Sequence, residues 1–293
     1  MLFYALCTIG IIIVKQTGVS SMSNTCKIKP LDNKQSGFTL VELAIVLVII
    51  GLIIGGVLVG QDMIKAATIR SQIAQIQGYS SAVNTFRDKY GYIPGDIAST
   101  EATNHGFLPA RTGAAGHGDG NSVLEACGIV AAGQLLGCET GIFWRDLTSS
   151  QLIDKNFSAA TDAIAAVATA AVPTYFPDAK MARGNYVTVF SNGGLNFFHV
   201  GGISSVAAVT GEYTMLNVMS PNEAGNIDRK MDDNTTTGGS VTASETTAAS
   251  ATIFTTALAL NVANCSAVAG IYNTDLANAV QNSPLCQLNF RFN

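Results

Sequence analysis

Apolar residues are spread unevenly along this chain. The densest run spans Phe38 to Val59, FTLVELAIVLVIIGLIIGGVLV: 22 residues, of which 16 are Phe, Leu, Val or Ile and one, Glu42, is charged. As a helix it would reach about 33 Å, enough to cross the hydrocarbon core of a bilayer. Sixteen such residues favour insertion by on the order of 5–10 kcal/mol, while one acidic residue costs about 3 kcal/mol at the centre and less near an end. The run therefore predicts a transmembrane helix over residues 38–60. A shorter apolar run, Met1 to Val14, opens the chain and is followed by Lys15. It has no basic residue ahead of it, unlike a secretory signal peptide. Synthesis starts either there or, as that mismatch suggests, at Met22, which would leave a short basic leader containing Lys27, Lys29 and Lys34.

Past the apolar run the pattern changes from continuous to periodic. Ile69, Ile73, Ile76, Val83, Phe86 and Tyr90 recur at helical spacing and define one face. Arg70, Gln72, Gln75, Asn84, Arg87 and Asp88 stand between them and are expected to face solvent. The helix should end near Gly91, before Pro94, so Phe38 to Tyr90 reads as one long helix, half in lipid and half packed on a domain. Gly55, Gly56 and Gly60 are its soft points. Residues 98–143 read as loop-rich. Trp144, Leu147, Leu152 and Ile153 suggest a short amphipathic helix packed on a sheet, with the tryptophan in the core. Tyr186–Phe190, a Ser-Asn-Gly-Gly turn and Leu195–Val200 form a hairpin signature. Glu212–Val218 is a third strand candidate. Ser220-Pro221-Asn222-Glu223 is a capping box with proline in first helical position, opening a helix to about Asp232. Asn234–Thr256, rich in Thr, Ser, Ala and Gly, reads as exposed loop or weak edge strands. The fold class is α+β: a long N-terminal helix, transmembrane in its first half, packed on a small antiparallel sheet with loop-rich elaborations.

Composition narrows the function. Apolar residues make up 48 % and charged residues 12 %, with a net charge of −4, which excludes a disordered chain and a binder working through a basic surface.

The residues Lys34-Gln35-Ser36-Gly37-Phe38-Thr39-Leu40-Val41-Glu42 join a basic leader, a glycine and FTLVE to the apolar helix. This segment closely resembles the prepilin cleavage and methylation signal of type IV pilins and type II secretion pseudopilins. The resemblance is firm from Lys34 to about Pro94 and loose beyond. It implies that a prepilin peptidase cuts between Gly37 and Phe38, where the absent side chain lets an extended backbone enter a cleft, and that the new amine of Phe38 is methylated. It also implies that Glu42 meets the positive N-terminus of a neighbouring subunit. A carboxylate in hydrocarbon calls for such a partner, and low dielectric strengthens the attraction; the simpler reading is a glutamate snorkelling to the interface beside the helix dipole. The segment Phe86–Asp96 resembles the helix exit of pseudopilins and reads as structural.

Orientation follows from the leader lysines, which favour a cytoplasmic N-terminus, and from the resemblance, which implies an inner-membrane, single-pass protein. Its domain over residues 61–293 is periplasmic, and the subunit later sits in a periplasmic or surface filament. The implied partners are other pilin-like subunits, prepilin peptidase, an inner-membrane assembly platform with its ATPase, and the lipid bilayer. Removing the leader over residues 1–37 leaves 256 residues with 12 Lys plus Arg against 19 Asp plus Glu, hence −7, which disfavours nucleic acid as a partner.

Cys7 and Cys26 would leave with the leader. Cys127, Cys138, Cys265 and Cys286 remain and allow three pairings; the sequence-near pairs Cys127–Cys138 and Cys265–Cys286 are expected, the second also fitting the terminal loop common in pilin-like proteins. Zinc has no C-x-x-C to support it. His117–Asn121 places Asp119 and Asn121 two apart, as in a calcium loop, but the other ligands of an EF-hand are missing and the segment reads as a Gly-rich turn. Major pseudopilins bind calcium beside the sheet. Here Asp228 and Asp232 would share a helix face with Asp233 at its end, although the spacing does not reproduce the family's loop, so these carboxylates either hold calcium or are solvated. No other cofactor is expected. No hydrolase, zincin, P-loop or Rossmann motif occurs, and His105, His117 and His199 are scattered, so no enzyme is expected. The expected function is a structural subunit of a type IV pilus-like or type II secretion pseudopilus filament; the alternative is a single-pass anchored periplasmic protein that does not polymerise.

Overall fold

A computed structural model describes residues 39–107, 111, 117–126, 136–161, 167–181, 184–207, 211–216, 218–244, 265–268, 270–274 and 286–292. In chain order its elements are α1 (Leu40–Tyr90), α2 (Ser99–Asn104), α3 (Cys138–Ser149), a 3-10 turn (Thr169–Ala171) leading into α4 (Val172–Tyr175), β1 (Asn185–Asn192), β2 (Leu195–Val206), β3 (Tyr213–Leu216), α5 (Pro221–Met231), β4 (Val241–Ser244), β5 (Ser266–Val268), β6 (Ile271–Tyr272) and β7 (Gln287–Phe292). The chain divides into two compact units, one ending at Ile54 and one beginning at Gly55.

The first unit contributes the opening turns of α1, whose residues 40–54 are all exposed. Among the described residues α1 is the one helix long and apolar enough to cross a membrane. It is helical through Gly55, Gly56 and Gly60, so the glycines expected to soften it do not interrupt its helical assignment.

In the second unit the remainder of α1 lies on an antiparallel sheet. The strand order is β1-β2-β7-β4, with β3 also paired to β2. The long strand β2 pairs with β1 along one edge, and with β7 and then β3 along the other. Two apolar rows cross four strands in register: Val189, Phe198, Phe290 and Val241, and beside it Val187, Val200, Leu288 and Ala243. All eight side chains are buried. Between these rows, pointing to the opposite face as strand alternation requires, runs a polar one of Thr188, His199, Asn289 and Thr242. A second, two-stranded sheet pairs β5 with β6.

Aromatic packing joins the layers. Tyr79 of α1 meets Trp144 of α3 edge-on at 4.8 Å between ring centroids, and Phe198 of β2 lies 6.1 Å from both. Phe292 stacks on Phe198 at 4.1 Å. The tryptophan is fully buried, as its sequence setting suggests.

Several elements differ from the sequence reading. Gln72 was expected to face solvent and is fully buried. Its Oε1 accepts from the Met181 amide at 3.2 Å, while the neighbouring Gln75 accepts from Lys180 N–H and donates to the Asp178 carbonyl. These glutamines tie α1 to a loop whose backbone groups need partners, a long-range demand that periodicity does not register. The helix bearing Trp144 begins at Cys138, inside the stretch read as loop, and ends before Leu152 and Ile153, which pack against the core from beyond it. The C-terminal strand β7 was not anticipated, although it occupies the middle of the sheet.

Candidate functional site

At the head of α1, Thr39 stands where the N-cap belongs. The Thr39 carbonyl accepts from Leu43 N–H at 3.3 Å, the first turn of the helix. Its side chain and that of Glu42 form a reciprocal capping box: Glu42 N–H donates to Thr39 Oγ1 at 3.2 Å, and Thr39 N–H donates to Glu42 Oε2 at 2.8 Å. The Thr39 hydroxyl donates to the same Oε2 at 2.9 Å. The box satisfies helix-end donors that otherwise lack partners. Both residues are exposed, followed by a helix whose large apolar side chains are also exposed, from Leu40 at 88 % to Ile64 at 68 %. Gly37 and Phe38, the expected cleavage pair, lie outside the described residues, as does Cys127.

Cys265 and Cys286 form a disulfide with 5.2 Å between Cα atoms, as expected. It joins the start of the β5–β6 pair to the residue preceding β7. Cys138 is also disulfide-bonded. His117 had no expected thiol neighbour, yet its Nδ1 lies 3.1 Å from Cys138 Sγ. The disulfide removes that sulfur as a thiolate ligand, so the contact does not make a zinc site.

The three aspartates singled out near α5 do come together: Asp228, Asp232 and Asp233 each offer an oxygen within 4.8 Å of the others. The capping box that starts α5 is present, with Ser220 Oγ accepting from Glu223 N–H and Glu223 Oε2 accepting from Ser220 N–H. At the other end of the helix Asp228 Oδ2 accepts from the Tyr272 hydroxyl at 3.0 Å and Oδ1 from Asn234 N–H at 3.3 Å. Burial pushes the Asp228 carboxyl up to about 6 against these two bonds, with Asp233 and Asp232 adding like charge. Asp233, fully exposed, is held below the ordinary range by the Thr235 hydroxyl and amide. Asp232 Oδ2 accepts from Ser240 and Val241 N–H. Gly239 has φ +73°, and a Cβ there would run into the Asp232 carboxylate, so the turn closes over this group only with glycine. Asn234 Oδ1 is buried and has no hydrogen-bond partner among the described residues. An all-oxygen donor set with a spare amide oxygen nearby suits a hard cation such as calcium.

A second cluster escaped the sequence reading. Asp96, Asp119 and Glu139 also bring oxygens within 4.8 Å of one another, with Asp96 and Glu139 fully buried. Four backbone amides of one loop close on them: Gly120 and Ser122 donate to Asp96, Gly118 and Glu125 to Glu139, at 2.6–2.8 Å. Burial pushes Asp96 up to about 6 against the Gly120 and Ser122 amides. Burial first and the Asp96 charge second push Glu139 up to about 9. Gly118, at φ +76°, lies where a Cβ would clash with the Ile97 carbonyl. The Gly-rich segment His117–Asn121 is thus a loop clamped to buried carboxylates. Only Asp119 of this trio drew attention in the sequence as a ligand candidate, because Asp96 and Glu139 belong to distant segments without a shared motif.

His199 is buried in the polar row of the sheet, its Nδ1 2.6 Å from Asn289 Oδ1, and burial depresses it to about 4. His105 lies 3.9 Å from Glu101 on the surface. Neither stands beside a nucleophile in these contacts.

Residues 32–58 match the family model described as the prokaryotic N-terminal methylation motif. No curated protein and no solved structure gives a significant match to the chain. The matched segment contains Gly37, Phe38, Thr39 and Glu42 and runs into the exposed apolar part of α1, so the chain carries the motif characteristic of type IV pilins and pseudopilins.

Proposed function

We propose that the protein is a structural subunit of a type IV pilus-like or type II secretion pseudopilus filament. The observation that carries this reading is the methylation motif at residues 32–58 placed directly on an exposed apolar helix that continues to Tyr90. In this reading the leader over residues 1–37 stays on the cytoplasmic side of the inner membrane and residues 38–60 span it. The domain over residues 61–293 is exported. Prepilin peptidase cuts after Gly37 and Phe38 is methylated on its new amine. The apolar helix, stored in lipid, exchanges lipid for the same helix of neighbouring subunits, and Glu42 meets the amine of one of them in that low-dielectric interior. An inner-membrane platform and an external ATPase drive the transfer. Calcium, where bound, would be held by Asp228, Asp232 and Asp233 and would neutralise their mutual repulsion.

Mass spectrometry of the N-terminal peptide from membrane-fraction protein tests this. A peptide beginning at methylated Phe38 is expected. An intact N-terminus at Met1 or Met22, in a host with active prepilin peptidase, would leave an anchored protein that is not processed for assembly.

A further inference from the structure

Past Val59, α1 carries one further pair of large apolar side chains in the open: Met63 at 70 % and Ile64 at 68 % exposure. A span over residues 38–60 already fills a bilayer core of about 30 Å, so this pair stands beyond it. Asp62 precedes the pair and Lys65 follows it. Both charges are exposed, and neither forms an ion pair among the described residues. The segment is thus an apolar knob with an acid at one end and a base at the other.

Further along the same helix a groove of about 590 Å³ opens on its flank. Ser71, Ala74, Gln75 and Tyr79 of α1 form one wall, and the loops after α3 and before β1 form the other. Tyr79, Leu152, Ile153 and Phe157 give the groove an apolar lining. Its polar edge includes Asp154 and Lys180, both exposed and with side chains in no ion pair among the described residues. The walls are fastened to each other. Gln75 donates to the Asp178 carbonyl at 2.8 Å and accepts from Lys180 N–H at 3.1 Å. Lys155 and Asp178 pair at 2.7 Å across the two loops. A groove built before its occupant arrives avoids an ordering loss on binding.

We propose that this groove receives the Asp62–Lys65 segment of a second copy of the chain, with Met63 and Ile64 on the apolar lining, Asp62 facing Lys180 and Lys65 facing Asp154. This rests on the filament reading above. The chemistry matches item by item: an apolar centre for an apolar centre, and a free charge of each sign for its opposite. The segment cannot enter the groove of its own chain, because both lie on one uninterrupted helix. Along that helix Met63 and Ala74 are about 16 Å apart, so a second copy with α1 parallel must be displaced by about that distance. Knob and groove are different surfaces, so each docked pair leaves one of each unfilled. Such a heterologous contact propagates into an open assembly where its rotation does not close a ring.

The test uses the full-length protein in its own host. Sheared filaments and membranes from the parent, Met63→Cys, Ile153→Cys and the Met63→Cys/Ile153→Cys double variant are treated with a short bismaleimide and resolved on denaturing gels. The double variant is expected to give a ladder of multimers, and each single variant only monomer. Crosslinks confined to dimers of Met63→Cys alone would reveal a symmetric contact and overturn the proposal. So would a ladder whose bands contain a different polypeptide by mass spectrometry. Charge reversal at exposed positions gives a second readout that spares the fold. Asp62→Lys and Lys180→Asp should each lower the filament fraction about tenfold, and the two together should restore it, as a direct pair requires. Losses that multiply instead overturn the pairing. Filaments recovered without a ladder and without rescue would end the docking proposal and leave the filament reading intact. A parent that is neither cut before Phe38 nor recovered in filaments would end both.

Discussion

The first and second halves of α1 share one helical repeat and differ in what covers them. From Leu40 to Val59 apolar residues occupy the whole circumference, and even the best-shielded large ones keep about half their surface, Ile50 at 46 %. From Ile69 to Phe86 the apolar residues form a stripe, and Ile76, Val83 and Phe86 on it are exposed by at most 1 %. A helix apolar all round demands an apolar surrounding on every side; a striped one demands a single core. The second half finds its core in the Tyr79–Trp144–Phe198 junction and the sheet rows behind it. Among the described residues the first half is exposed on every side, which suits an apolar surrounding rather than a single core.

The sharpest way to break this comparison is to truncate one large side chain in each half. Phe86→Ala should destabilise the folded domain by about 3–5 kcal/mol, through lost burial and the cavity it leaves. Ile45→Ala, at an exposed position of the first half, should change domain stability by no more than about 0.5 kcal/mol. Chemical denaturation of the full chain in detergent, followed by Trp144 fluorescence, reads both. A comparable loss for Ile45→Ala would show that the first half is packed after all. Breaking the Cys265–Cys286 bridge by replacing both cysteines with serine should cost about 2–4 kcal/mol in the same assay. The effect belongs to the domain alone, and the apolar half of α1 should insert into membranes unchanged.

The pH dependence is smaller than the effect of the lost bridge and concerns the clamped loop. Glu139 is pushed from its ordinary 4.5 up to about 9 in the folded protein. Below about 4.5 the folded and unfolded forms both hold the proton, and stability from this group is fully present. As pH rises the unfolded form releases the proton first, so stability is lost progressively until the folded carboxyl titrates near 9. Between pH 7 and 8.5 the folded-state Asp96 and Asp228, both near 6, and His199, near 4, are already mostly deprotonated. The unfolding free energy should therefore fall across that window, by at most about 1.4 kcal/mol per pH unit, read as a falling melting temperature, and Glu139→Gln should flatten it. A flat profile in the parent would mean that the carboxylates of the clamp are already neutralised in another way.

Much of the fold was legible because its signals are local. The β1–β2 hairpin follows from β-branched runs around Ser191–Gly194, and the α5 start from Ser220 and Glu223 three residues apart. The edge position of β4 fits the Thr- and Ser-rich stretch in which it lies. What was illegible depends on separation along the chain. β7 lies between β2 and β4 although about 80 residues separate it from β2, and no pattern within Gln287–Phe292 names those partners. The buried Gln72 serves a backbone amide 109 residues away. The Asp96–Glu139 clamp needs the loop and α3 to be in place before either carboxylate is buried.

By itself, then, the sequence determined that a basic segment, Gly37 and Phe38 lead into a helix too apolar for water that carries Glu42 in its first turn, since composition and spacing within some thirty residues set the free energy of insertion and carry the methylation motif. Only the tertiary structure decided which polar residues lie inside, how the strands are ordered and which acids meet, since burial and electrostatic environment are set by neighbours distant in the chain. Thr39 lies between the two cases: its place beside Glu42 is written in the sequence, but the reciprocal bonds between them are visible only in the folded helix cap.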